Sequence, residues 1–88
     1  MFTVRWKRAA RDELAKIWVQ ADSTMRQAIT AAANQVDAGL KRNPESKGES
    51  RGDAERVWFA PPLCVFFKVD VDRSLVRVVG VRILRRRS

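Results

Sequence analysis

Between Phe2 and Trp6 apolar and polar side chains alternate, Phe2, Val4 and Trp6 against Thr3 and Arg5, which is the period of a strand with one buried face. The period then changes. From about Arg8 to Ala21, Ala10, Leu14, Ile17, Trp18 and Ala21 recur at helical spacing with Arg11, Asp12, Glu13, Lys16 and Gln20 elsewhere, predicting an amphipathic helix with one buried stripe. Asp22, Ser23 and Thr24 supply capping oxygens, and Thr24 with Gln27 has the spacing of a capping box, so a second helix is expected from there. Its stripe is Met25, Ile29, Ala32, Val36 and Leu40. Asn43-Pro44 should end it, because proline disfavours helical geometry in the residue before it. The two helices are expected to form an antiparallel hairpin.

Residues 44 to 55, PESKGESRGDAE, hold two glycines and no large apolar side chain, and predict a loop. Three β-rich runs follow: Arg56 to Phe59, Leu63 to Val71 and Leu75 to Leu84, separated at Ala60-Pro61-Pro62 and at Asp72-Arg73-Ser74. The expected order is β-α-α-β-β-β, an α+β two-layer fold with the helical hairpin on one face of a four-stranded antiparallel sheet.

Splitting the strands by parity gives two faces. Leu63, Val65, Phe67, Val69 and Val71 form the core side of their strand, with Val57 and Phe59 beside them. In the last strand Leu75, Val79, Val81 and Ile83 favour the core, which forces Arg77, of the same parity, to snorkel at an edge. The face away from the helices is then expected to offer Arg56, Trp58, Cys64, Phe66, Lys68, Val78 and Arg82. Two aromatics beside three cations on an uncovered sheet suggest a binding face for nucleic acid or a partner helix. Pairing of two copies through the same aromatics, a homodimer, is the plainer alternative.

Charge sharpens this picture. Among 88 residues, 18 are Lys or Arg and 10 Asp or Glu, a net charge of +8, and Arg outnumbers Lys thirteen to five. Arginine's planar fork suits phosphates and carboxylates, so nucleic acid or an acidic protein is the expected partner class. The length suits one domain, residues 1–88. One cysteine, Cys64, and no histidine leave neither an internal disulfide nor an ordinary Cys/His metal site, so no metal or cofactor is expected. No uncharged run is long enough to cross a bilayer and no apolar run of signal-peptide length opens the chain, which predicts a soluble cytoplasmic protein with no membrane partner.

The early VRW strand, the DELAKIW helix, the second helix ending at NP, the loop, and then PLCVFFKVD followed by LVRVVGVR resemble the RelE/ParE superfamily of type II toxin-antitoxin toxins over nearly the whole chain. The resemblance implies a compact, plasmid-stabilisation-like toxin neutralised by a cognate antitoxin. One branch cleaves mRNA on the ribosome; the other inhibits DNA gyrase without hydrolysis. Cleavage through the 2′-hydroxyl requires a base for that hydroxyl, cations for the phosphorane and a proton for the leaving oxygen. RelE-like enzymes place cations on the second strand, an arginine early in the third, an arginine after the glycine of the fourth, and Tyr or His near the C-terminus. Arg82, two residues after Gly80, matches the fourth-strand arginine, and Arg56 stands for a second-strand cation. Cys64 replaces the third-strand arginine, Ser88 lies near the C-terminal position, and the chain has no Tyr or His.

Cys64 has no histidine to activate it and lies in an apolar strand, so it is expected to be a packing thiol. Glu49 is the candidate general base, with Arg51 beside it; a solvated loop carboxylate is the alternative. Arg85, Arg86 and Arg87 should emerge next to the open face, where each could neutralise a phosphate, engage an acidic antitoxin or remain solvated. Three functions stay open: an mRNA endonuclease using Arg82, Arg56, Glu49 and Arg51, a gyrase inhibitor, and a degenerate member that binds only antitoxin or nucleic acid.

Overall fold

A computed structural model describes residues 1–52 and 54–84. Among these, five strands and two helices follow in the order β1 (Thr3–Trp6), α1 (Arg8–Gln20), α2 (Ser23–Arg42), β2 (Glu49–Ser50), β3 (Glu55–Ala60), β4 (Leu63–Asp70) and β5 (Leu75–Ile83). A single 3-10 turn, Pro44–Ser46, joins α2 to β2. The helical hairpin covers one face of a sheet ordered β1-β5-β4-β3-β2, the two-layer α+β arrangement expected.

Two features of the sheet depart from expectation. It is mixed, because β1 pairs parallel with β5, from Thr3 opposite Leu75 to Trp6 opposite Val78. It also has a fifth strand, since part of the polar segment folds back so that Glu49 pairs with Val57 and Ser50 with Arg56. Gly48 makes that return feasible: its φ is +69°, and a Cβ there would stand 2.3 Å from the Val57 carbonyl oxygen.

The core is built from α2 and the two central strands. Ile29, Ala32, Val36 and Leu40 of α2 are buried against Leu63, Val65 and Phe67 of β4 and Val76, Val78 and Val81 of β5. α1 contributes less: Ala10 is fully buried, Leu14 and Ile17 are half-buried, and Trp18, expected in the stripe, is 41% exposed. Trp18 is instead covered from above by Arg26, whose guanidinium lies 4.3 Å from the ring centroid while donating to the Trp18 and Val19 carbonyls at 2.9 and 3.0 Å. One arginine of α2 thus satisfies two end carbonyls of α1 and locks the hairpin. The cap of α2 is Asp22, which accepts from the Met25 N–H at 2.8 Å, rather than the expected Thr24–Gln27 box. A carboxylate at this position also complements the helix dipole, which a threonine does not.

The register sets the faces, and it reverses two expected assignments. The two-residue Pro61-Pro62 turn places Ala60 opposite Leu63, so Trp58 faces the core side opposite Val65 and Arg56 does so opposite Phe67. Trp58 accordingly lies on α2, close enough that a Cβ on Gly39 would be 2.6 Å from its ring. Val57 and Phe59, expected inside, belong to the opposite face, where Phe59 is 53% exposed. In β5 a bulge intervenes: Phe66 pairs with Gly80 and Phe67 with Val78, so Val79 is left without a partner. The extra residue shifts the parity, placing Val76 and Val78 in the core and Arg77 outside. The expected snorkelling arginine is therefore not needed.

Candidate nucleic-acid interface

Residues opposite one another on adjacent strands share a face, so the ladder places the open side of the sheet in rows. One row holds Phe59, Cys64 and Arg82; the next holds Glu49, Val57, Phe66 and Gly80; a third holds Glu55, Lys68, Arg77 and Arg5. Both helices send their buried side chains to the other side.

Arg51, just beyond β2, reaches across β3 and stacks its guanidinium 5.1 Å from the centroid of Phe66. Phe66 pairs with Gly80, where an added Cβ would stand 3.6 Å from the ring, an ordinary van der Waals contact. Glu13, Arg51, Glu55, Phe66, Gly80 and Arg82 line a hollow of about 550 Å³. α1 joins this group because β1 ends opposite Val78, leaving the second half of β5 without a strand neighbour on that side. Two guanidinium groups, two carboxylates and an aromatic face thus converge at one end of the open sheet. The cations can hold a phosphate, the ring can stack on a base, and either carboxylate can accept a proton.

The residues expected from sequence divide into two groups. Arg51, Arg82 and Phe66 come together, and exposed Lys68 shares their face. Arg56 does not: it is on the core side, where Nε and Nη2 donate to the Lys47 and Gly48 carbonyls, both at 2.9 Å. Trp58 is beneath Lys47, whose ammonium is 5.5 Å from its ring, so the expected outward placement of both residues is corrected by the hairpin register. Glu49 is exposed on the outer strand and does not line the hollow. Arg85, Arg86 and Arg87 lie outside the described residues.

Glu13, Glu55 and Phe59 were missed by parity and by the expected loop. Glu13 is on the polar side of its helix, and only the short length of β1 brings it to the hollow. The signal available for Phe59 was the two-proline turn, which counts back to an outward Phe59 once Ala60 is placed opposite Leu63.

Cys64 lies beneath this cluster, buried to 6% exposure. Burial pushes its thiol above the ordinary value, and the nearby Arg51 and Arg82 charges only partly offset that rise. A buried, protonated thiol is a packing group. The unfolded chain releases this proton at lower pH than the folded one, so stability present at neutral pH is lost as the pH rises past the unfolded thiol's pKa. Cys64→Ala is expected to flatten the alkaline fall in denaturation midpoint. Parallel wild-type and variant curves above pH 8 would contradict it.

No helix among the described residues is long and apolar enough to cross a membrane. No group of three or more metal-binding side chains is found among them.

No protein-family model matches the chain, and no curated protein does. Solved structures do. A chain of the chromosomal ParDE toxin-antitoxin system from P. aeruginosa superposes with a TM-score of 0.75 at 17% identity, covering 97% of this chain and 98% of that one. A chain of the RelBE2 toxin-antitoxin complex from Mycobacterium tuberculosis gives a TM-score of 0.71 at 18% identity, over 93% and 90%. The isolated E. coli RelE toxin gives 0.63 at 15% identity, over 100% and 89%. At these identities the likeness is one of fold, and the chain has a RelE/ParE-like toxin fold.

Proposed function

We propose that this chain, as a single domain in the cytoplasm, is the toxin of a type II toxin-antitoxin pair and a ribosome-dependent mRNA endonuclease. The observation that carries this reading is the convergence of Arg51, Arg82, Glu13, Glu55 and Phe66 on the uncovered sheet face of a RelE/ParE-like fold. In the reaction a base stacks on Phe66 and the scissile phosphate lies between Arg51 and Arg82. A carboxylate, Glu55 or Glu13, takes the proton from the 2′-hydroxyl. The 2′ oxygen bonds to phosphorus, the bond to the 5′ oxygen breaks, and that oxygen takes a proton from water, leaving a 2′,3′-cyclic phosphate. The two guanidinium groups stabilise the charge that builds on the phosphorane oxygens. Glu55 and Glu13 replace Glu49 as candidate bases because they line the hollow.

The antitoxin would be the neutralising partner, a reading supported by fold neighbours that are themselves toxin-antitoxin complexes. An apolar groove of about 410 Å³ between α1 and α2, where Trp6, Leu14, Trp18, Val19, Ile29 and Ala33 meet beside Arg11, fits an acidic amphipathic antitoxin segment.

A second reading, inhibition of DNA gyrase without hydrolysis, is favoured by the TM-score of 0.75 to the ParDE chain and by the absence of Tyr and His. Primer extension on an mRNA incubated with the protein and ribosomes separates the two. New 5′-hydroxyl ends, seen only with ribosomes and matched by a cyclic phosphate on the upstream fragment, support the nuclease. Intact mRNA together with blocked DNA supercoiling would replace it with the gyrase reading.

A further inference from the structure

We propose that the cross-strand row Arg5, Arg77 and Lys68 is a second phosphate-binding site, one that holds the backbone of a single-stranded RNA whose neighbouring base lies on Phe66. The proposal rests on the reading that the open face meets RNA, and it extends that face to the end opposite Arg82.

The row exists because of the bulge. With Val79 unpaired, Arg77 turns onto the open face, directly between Lys68 of β4 and Arg5 of β1. All three side chains are exposed, on adjacent strands about 4.8 Å apart. Like charges directly opposite on a sheet repel, so a row of three is a local cost that a bound polyanion removes. Arg73 in the β4–β5 turn stands at the same end and lines a small hollow of about 370 Å³ with Arg5 and Arg77. Among the described residues three carboxylates share the region, Asp70, Asp72 and Glu55. Asp70 is 3.8 Å from the Arg73 guanidinium, and Glu55 closes the row beyond Lys68, leaving the cations in excess.

Protein partners are usually gripped by buried aromatic and apolar anchors at the centre of a contact. Among the described residues this end of the sheet has no exposed aromatic: Arg5, Lys68, Arg73 and Arg77 outnumber the carboxylates Glu55, Asp70 and Asp72, with Thr3, a half-buried Leu75 and the exposed Val71 beside them. That is the composition of a phosphate contact, which positions a strand without reading its sequence. From Cys64 to Lys68 along β4 is about 14 Å, so Arg82 and Arg77 mark two ends of one path with Phe66 between them. A stacking ring flanked by cations is how single strands are held.

The test is fluorescence anisotropy of a labelled 12-nucleotide unstructured RNA against salt, with wild type, Arg5→Gln/Arg77→Gln, Arg5→Lys/Arg77→Lys and Arg51→Gln/Arg82→Gln. The glutamine pair at the row is expected to lose affinity on the order of tenfold at 100 mM salt and to lower the salt slope by about 1.4, two contacts at ~0.7 each. The lysine pair should keep the slope. Unchanged affinity and slope in the row variant, with a loss in Arg51→Gln/Arg82→Gln, would overturn the row and leave the first site standing. No RNA binding by wild type would overturn both. Single-stranded DNA should bind comparably, because phosphate and stacking contacts do not read the 2′-hydroxyl; tighter binding of polyglutamate than of RNA at the same salt would overturn the assignment of the row to a nucleic-acid backbone.

Discussion

Val78→Lys is expected to unfold the protein, whereas Arg77→Leu, one position earlier, should leave its stability within about 0.5 kcal/mol. Simple alternation from Val81 back to Leu75 puts Val78 on the surface and Arg77 inside. The bulge reverses both: Val78 has no exposed surface and pairs with Phe67, which is fully buried too. A lysine there must bury an unpaired ammonium or give up its proton, at a cost of about 3–5 kcal/mol. Domains of this size are stable by roughly 4–13 kcal/mol, so the loss takes most or all of the margin. Urea denaturation followed by tryptophan fluorescence reads the result. A stable Val78→Lys protein beside an unstable Arg77→Leu protein would restore the unbulged strand.

That prediction also marks where sequence patterning stops. The helices were legible because their stripes and their ends are local: Ile29, Ala32, Val36 and Leu40 are buried as their spacing predicts, and Asn43 closes α2 before Pro44. Leu63, Val65 and Phe67 were legible for the same reason, as a strand whose two parities differ sharply in polarity. In β3 the two parities, Val57 and Phe59 against Arg56, Trp58 and Ala60, do not differ enough to decide. There the turn decides, by fixing Ala60 opposite Leu63. In β5 the conflict over Arg77 was visible in the sequence, and its resolution by one unpaired residue was not. The short β2 was hidden because an outer strand needs only backbone pairing and a glycine at Gly48, with no apolar alternation of its own.

The same register changes redistribute the candidate site. Of the aromatics, Trp58 went to the helical side and Phe59 to the open one, so the open face keeps two rings, Phe59 and Phe66. Of the cations, Arg56 left the face and Arg77 joined it. The face remains aromatic and basic although three of its seven expected members, Arg56, Trp58 and Val78, lie on the other side. Its character was legible from composition and strand parity together, whereas its membership depended on long-range pairing.

Arg82→Ala and Arg56→Ala are expected to fail in different ways, and the difference separates chemistry from scaffolding. Arg82 is exposed beside Phe66 and Gly80 and, under the proposed function, touches the scissile phosphate. Its removal deletes a donor that matters most as negative charge develops, so ribosome-dependent cleavage should fall by about 100- to 1,000-fold. The denaturation midpoint should hardly move, because Arg82 is a surface residue. Arg56 donates two hydrogen bonds to the carbonyls of Lys47 and Gly48, which fix the return that carries Arg51 to Phe66. Its loss leaves two part-buried carbonyls short of a charged donor, worth about 1.5–3 kcal/mol each at most. Stability should therefore drop measurably in Arg56→Ala, and cleavage should fall only as far as Arg51 is misplaced. Single-turnover cleavage and urea denaturation on both variants give the two readouts. Equal stability losses in the two, or a larger cleavage defect in Arg56→Ala at temperatures where it is folded, would return Arg56 to the reacting site and take Arg82 out of it.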